Sequence, residues 1–279
     1  MTGAVTNEPV FFRHVPHQPG TAALEMDEVV VRYQTRVALD HLTLRINAGE
    51  RVAVVGPNGA GKSTLFKAAA GLLNTDQGDI RVFGAPPRQH ACIAYVVQRS
   101  EVDWSFPVSV ADVVMMGRVR EMGFFHRPST ADRALVRGCL ERVGLQDLAA
   151  RQIGELSGGQ QQRMFIARAL AQQAELMLLD EPFTGLDLTT QEGILDLLDE
   201  LSRSRVTVLV ATHDLNLAAR HFDHVLLLNH SAIAYGPPAD VFTQANLIAT
   251  FGGHAHSIPT REGLMMISDS CCSGGRADA

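Results

Sequence analysis

Arg51-Val-Ala-Val-Val55, Gly56-Pro57-Asn58-Gly59-Ala60-Gly61-Lys62-Ser63-Thr64 and Leu65-Phe-Lys-Ala-Ala-Ala-Gly-Leu-Leu73 follow one another without a break. The first piece is a short apolar run of the buried-strand type, and the last is amphipathic with a helical period. Between them sits a loop of glycines that ends in a lysine and two hydroxyls. Strand, loop and helix in that order give the P-loop pattern its proper context. Glycines there let successive backbone N–H groups turn inward as an anion nest, and the helix adds the positive end of its dipole. On this reading Lys62 reaches the β- and γ-phosphates of a nucleotide, Ser63 offers a hydroxyl to Mg²⁺, and Thr64 contacts the α-phosphate. The competing explanation, an ordinary glycine-rich turn, does not account for the flanking elements.

Outward from this stretch, short alternating runs at 28–33 (EVVVRY) and 42–46 (LTLRI) suggest antiparallel strands, and two more strands are expected at 79–83 and 92–97. From about 109 to 173 the texture is helical, with a capping box at Ser129-Thr-Ala-Asp132, so the chain carries an inserted helical lobe. Strands and helices then alternate again: strands at 176–180, 206–211 and 225–229, helices at about 189–203 and after Asp214. That alternation implies a mainly parallel sheet covered on both faces. The fold class expected is α/β, with a mixed sheet core, an antiparallel β subdomain and the helical insertion at about 99–173. Residues 1–21 read as a loose extension, 22–252 as the folded body and 253–279 as a poorly ordered tail.

The bulk properties fit this organisation. A chain of 279 residues, 46% hydrophobic and 19% charged, can bury a sizeable core without staples. Its formal net charge of -6 gives no pull toward DNA or anionic lipid, so no nucleic-acid partner is expected and any membrane attachment should run through another protein. The sequence has no long apolar run and no signal-peptide start, so it is expected to stay in the cytoplasm. None of the four cysteines has a CxxC or zinc-finger spacing, and reduced thiols are expected.

Two further stretches carry chemistry. Leu176-Met-Leu-Leu-Asp180-Glu181 is an apolar strand ending in two carboxylates, at the edge where open α/β sheets bind ligands. Asp180 would orient Mg²⁺ through its water shell, and Glu181 would polarise an attacking water as general base; a solvated acidic turn is the plainer explanation. Leu156-Ser157-Gly158-Gly159-Gln160 precedes a helix, and its serine and glycine pair make a second phosphate-binding surface from N–H groups, a hydroxyl and the helix dipole. Helix capping by Ser157 is physically true as well, but it leaves the glycine pair unexplained.

With these motifs in this order, residues 24–252 resemble an ATPase of the ABC family. The resemblance implies ATP and Mg²⁺ as cofactors and a head-to-tail dimer of two copies, each ATP lying between one P-loop and the partner's LSGGQ. It also implies that Tyr33 stacks on adenine, that Gln98 senses Mg²⁺ and the attacking water, that Asp187 lies on a loop crossing the dimer interface, and that His213 is the switch histidine near the γ-phosphate. Three of them have a plainer explanation: packing for Tyr33, a polar strand end for Gln98, a structural imidazole for His213. Arg163 and Arg168 read as helix-surface or interface charges.

The segment from Gln98 to Arg118, with GELSGGQQQR, EPFTGLD and LLLNHSAIAYGPP, resembles the subgroup serving manganese, zinc or iron uptake. This implies a cytoplasmic-face ATPase that works with an integral membrane permease and, indirectly, with an extracytoplasmic substrate-binding protein. An iron chelate is the alternative cargo. A soluble ABC ATPase acting on ribosomes or DNA is the rival class, and the chain lacks the second cassette or coiled-coil insertion such proteins usually carry. Val97, where many relatives have proline, and Thr184-Gly-Leu-Asp187, in place of Ser-Ala-Leu-Asp, are departures from the pattern. His14, His17, His254 and His256, with Cys271 and Cys272, invite a metal reading, but His-x-His in a loose tail lacks a complete ligand set, and no site is expected there.

Overall fold

The computed structural model describes residues 17, 20–90, 92–122, 127–252, 255–260 and 263–268. Along the chain come β1 (Leu24–Tyr33), β2 (Arg36–Ile46), β3 (Arg51–Val55), α1 (Lys62–Ala69), β4 (Gln77–Val82) and β5 (Ile93–Val96). A helical block follows: α2 (Val110–Met116), α3 (Val119–Met122), α4 (Thr130–Arg142) and α5 (Gly158–Ala171). Then come β6 (Leu176–Asp180), α6 (Leu188–Arg203), β7 (Thr207–Thr212), α7 (Leu215–His221), β8 (His224–Asn229), β9 (Ser231–Gly236), α8 (Pro238–Val241) and α9 (Gln244–Phe251). A hairpin of β10 (Ala255–Thr260) and β11 (Gly263–Ser268) closes the described chain.

The central sheet has the order β5-β6-β7-β3-β8-β9. Its first five strands run parallel and β9 is antiparallel to β8. Because side chains alternate across a strand, each central strand feeds two cores. Val52, Val54, Leu176, Leu178, Leu209, Ala211, Leu226 and Leu228 face one side, where α1 contributes Leu65 and Phe66. Ala53, Val55, Met177, Leu179, Val208, Val210, Val225 and Leu227 face the other, with α5 and α6. This is why those strands read as continuous apolar runs: neither face meets water. The second, antiparallel sheet (β2-β1-β4) lies over the α1 side, its Leu24, Met26, Leu39, Leu42 and Ile46 in the same core.

The inserted helices start where local chemistry stops the preceding loop. Ser109, Ser129 and Ser157 each form a capping box with the residue three positions on, Asp112, Asp132 and Gln160, so two otherwise orphaned backbone N–H groups are satisfied reciprocally at each start.

Two expectations are corrected. The tail expected to be poorly ordered contains the paired strands β10 and β11. The extension expected to be loose puts His17 against the body: its ring stacks on Phe83 with centroids 4.0 Å apart. His14, His254, Cys271 and Cys272 lie outside the described residues, as does most of 1–21.

Candidate functional site

Parallel register brings the carboxyl ends of the central strands to one edge. Val96 pairs with Leu179, Asp180 with Ala211, and Val55 with Thr212, so the segments that follow β5, β6, β7 and β3 all emerge there. The glycine-rich loop leaves β3 and enters α1 through Gly61, which adopts φ 101 and has no side-chain cap. A Cβ at that residue would lie 2.5 Å from the Ala38 carbonyl oxygen, so both the backbone conformation and the space require glycine. The loop is pinned from beneath by the His230 N–H, which donates to the Ala60 carbonyl at 2.8 Å.

Lys62 is buried and folds over the loop, its Nζ donating to the carbonyls of Gly56 (2.7 Å) and Pro57 (3.1 Å). Burial lowers its pKa, opposed by the charges of Glu181 and Asp180. Asp180 is buried at the end of β6, and burial raises its pKa; hydrogen bonds from Ser63, Tyr95 and Gln98 work against that rise. Tyr95 Oη donates to Oδ2 at 3.2 Å and Gln98 Nε2 approaches Oδ1 at 3.5 Å. One carboxylate thus gathers a hydroxyl from the P-loop, a phenol and an amide.

Glu181 stands in left-handed backbone (φ 49), which costs a non-glycine residue about 1 kcal/mol or more. Its Oε2 accepts from Thr184 Oγ1 at 3.1 Å and lies 3.8 Å from Nδ1 of His213, an exposed side chain just past β7. A cavity of about 340 Å³ is lined by Tyr33, Arg36, Ala38, Asn58 to Thr64, Gln98 and Glu181. Residues from four separated places in the sequence therefore share one cleft, which includes the half-exposed Tyr33.

Ser157, Gly158, Gly159, Gln160 and Asp187 are not part of that lining. They form a second surface. Ser157 is exposed, accepting from the Gln160 N–H at 3.4 Å, while Gln160 Oε1 accepts from the Ser157 N–H at 2.9 Å. Asp187 caps α6, accepting from the Thr190 N–H (2.9 Å) and hydroxyl (2.8 Å), which hold its carboxyl below the usual range. A Cβ on Gly159 would fall 2.2 Å from Thr190 Cγ2. Gly159 thus has a packing reason beside any role toward phosphate: it lets the start of α5 lie directly on the start of α6.

Sequence reasoning missed Tyr95, Arg36 and Arg99. Tyr95 lies inside an apolar strand and left only its hydroxyl as a signal; Arg36 follows the turn after Tyr33; Arg99 bonds Gln161 of α5 through Nε at 2.9 Å. Arg168, expected at a helix surface, is half-buried, and burial lowers its pKa.

The family description "ABC transporter" matches residues 39–184, which span the P-loop, the LSGGQ stretch and the acidic strand end. This chain belongs to the ABC transporter ATP-binding family. It is 47% identical over 231 residues to the manganese transport system ATP-binding protein MntB of Bacillus subtilis, covering 82% of this chain and 92% of that protein. It is 45% identical to the zinc transport system ATP-binding protein TroB of Treponema pallidum, over 84% of this chain and 89% of that one. Among solved structures, a chain described as an ABC transporter of metal-chelate type in an inward-facing conformation superposes with a TM-score of 0.77 at 32% identity, covering 89% of this chain and 97% of that one. An ABC ATP-binding subunit binds nucleotide and hydrolyses ATP.

Proposed function

We propose that this ABC ATPase, with residues 22–252 as its cassette, energises uptake of a transition metal ion (manganese, zinc or iron) through a separate membrane permease. The observation that carries the catalytic part is the single cleft holding Tyr33, the P-loop, Gln98 and Glu181. In it Tyr33 stacks on the adenine, the N–H groups of residues 56–64 and Lys62 hold the phosphates, and Glu181, aided by His213, orients a water for in-line attack on the γ-phosphorus. The water's proton passes to Glu181 as the bond to the ADP oxygen breaks.

The Asp180 carboxylate and the Ser63 hydroxyl are hard oxygen donors, and the Gln98 amide carries a third in its Oε1, a set that suits Mg²⁺. Ser63, Asp180 and Gln98 would hold the ion, which when bound neutralises charge on the phosphates.

Ser157, Gly158, Gly159, Gln160 and Asp187 lie outside the cleft on a surface of their own, and their purpose is to complete the cleft of a second copy in a head-to-tail dimer. Coupling to the permease has its own support. A groove of about 470 Å³ between the sheet and the helical lobe is lined by Leu72, Val97, Met116 and Val119, and the first and the last two of these are large apolar side chains left exposed. Among the described residues no helix is long and apolar enough to cross a membrane; the exposed apolar lining of the groove is the surface through which the chain attaches to a permease at the cytoplasmic face. The cargo follows the relatives named for manganese and zinc. An iron chelate is the second reading, favoured by the relative named as a chelated iron transport protein in Yersinia pestis, at 46% identity. An extracytoplasmic binding protein would deliver either one.

Two measurements test the proposal. Glu181→Gln should abolish turnover and leave ATP binding intact; hydrolysis near the wild-type rate would remove Glu181 as the base. Co-purification from membranes with a permease, followed by metal-dependent uptake in a deletion strain, tests the cargo; a partnerless pool bound to ribosomes would overturn it.

A further inference from the structure

At the opposite edge of the sheet from the nucleotide cleft, three metal-ligating side chains from separate parts of the chain meet. His17 comes from the N-terminal segment, His90 from the turn before β5, and Cys92 from the residue next to β5. One donor atom of each lies within 4.8 Å of the other two, and the Cys92 Sγ and His90 Nδ1 are 3.5 Å apart. His90 and Cys92 are almost fully buried, at 2% and 3% exposure. A fourth donor is adjacent: Glu175 Oε1 lies 3.1 Å from His17 Nε2, and the Glu175 N–H donates to the Cys92 carbonyl at 2.8 Å.

We propose that His17, His90, Cys92 and Glu175 bind one borderline metal ion of the zinc class, tying the N-terminal segment to the starts of β5 and β6. Two imidazoles, a thiolate and a carboxylate make a complete four-coordinate zinc set. Zinc bonds of about 2.0–2.3 Å place tetrahedral donors about 3.3–3.8 Å apart, so the His17, His90 and Cys92 donors close around an ion by side-chain movements of about an ångström, and the Glu175 carboxylate enters from beside His17. The Arg120 Nη1 donates to the His90 carbonyl at 2.5 Å, fixing the backbone that carries one ligand. The donor types also select the ion. Manganese prefers oxygen donors and stands low in the affinity order, so this site discriminates against Mn²⁺ in favour of zinc. The plainer account is that the N-terminal segment packs by the His17–Phe83 stack alone.

The full chain, purified free of metal, is titrated with Co²⁺ as a spectroscopic probe and then with Zn²⁺ and Mn²⁺. One Co²⁺ per chain is expected, with tetrahedral d–d bands and thiolate-to-cobalt absorption, displaced by Zn²⁺ and not by equimolar Mn²⁺. Cys92→Ser should lose the thiolate absorption, and His17→Ala should weaken Co²⁺ binding at least about tenfold. Replacing His254 and His256 by Ala should change neither. ATP affinity at the wild-type value confirms folding of each variant; should Cys92→Ser fail that check, His17→Ala, at the periphery, decides alone. Failure to take up one ion, thiolate absorption that persists in folded Cys92→Ser, wild-type affinity in His17→Ala, displacement by equimolar Mn²⁺, or loss of binding in the His254 and His256 variant would each overturn the site.

Discussion

Tyr95 shows how much one hydroxyl can set at this site. It sits among apolar neighbours in β5, and burial with the charge of Asp180 raises its pKa far above the usual tyrosine range, so it remains a donor at every working pH. Asp180 is itself raised by burial, and the Tyr95 hydrogen bond is one of three that lower it. Removing that donor in Tyr95→Phe must therefore raise the carboxyl further. Fewer molecules carry the ionised form at acid pH, and the acid limb of the pH–rate profile moves to higher pH. A hydrogen bond to a charged group is worth about 1.5–3 kcal/mol, so a loss of about tenfold or more in turnover at the acid end is expected, recovering as pH rises. A profile superimposable on wild type would show that the phenol only fills space. At this scale the sequence was legible wherever a motif marks a position: Lys62, Gln98 and Glu181 line one cleft, and Gln98 reaches Asp180 beside it. Tyr95 was not, because a buried strand announces apolarity and hides the one polar tip that matters. Nor was His17, whose partners Phe83, His90 and Glu175 lie more than sixty residues away.

Between elements, the contact of α5 with α6 is the tightest constraint near the second surface. Its critical pair is Gly159 and Thr190, and the atom that a new methyl group would strike is Thr190 Cγ2. Gly159→Ala should therefore lower stability by about 1–3 kcal/mol, as overpacking does, and displace the Asp187 cap with it. Thr190→Ser removes only Cγ2 and keeps the hydroxyl that bonds Asp187, so it should cost little alone and restore most of the stability in the double variant. A thermal-melt double-mutant cycle reads this directly; strictly additive losses would rule out the proposed clash. The elements themselves were legible in proportion to their contrast. The five parallel strands stood out as apolar runs, and Ser129 announced α4. Strand β9 did not, since Ser231 to Gly236 are all half-buried and offer no alternation to detect. The hairpin of β10 and β11 carries Pro259, which argues against a strand in isolation.

For the whole molecule, the proposed head-to-tail dimer makes a claim that the two surfaces put to the test. The cleft holds the P-loop and Glu181, while Ser157 stands exposed on the surface built by α5 and α6. If each ATP lies between the cleft of one copy and Ser157 of another, defects in the two surfaces belong to different subunits of one site. A chain with Lys62→Ala has no working cleft but offers an intact second surface. A chain with Ser157→Arg has the reverse. Either homodimer is inactive at both sites. In a heterodimer both defects fall on the same site and the other site is made wholly of intact parts. Random mixing puts about half of the dimers in the mixed form with one good site of two, so hydrolysis should return to about a quarter of the wild-type rate. If the two sites fire only together, the mixture stays inactive but gains an ATP-dependent dimer that neither variant forms alone. Size-exclusion chromatography with ATP, run beside the hydrolysis assay, separates these outcomes. A mixture that shows neither activity nor dimer would mean that the surface around Ser157 does not face a second cleft.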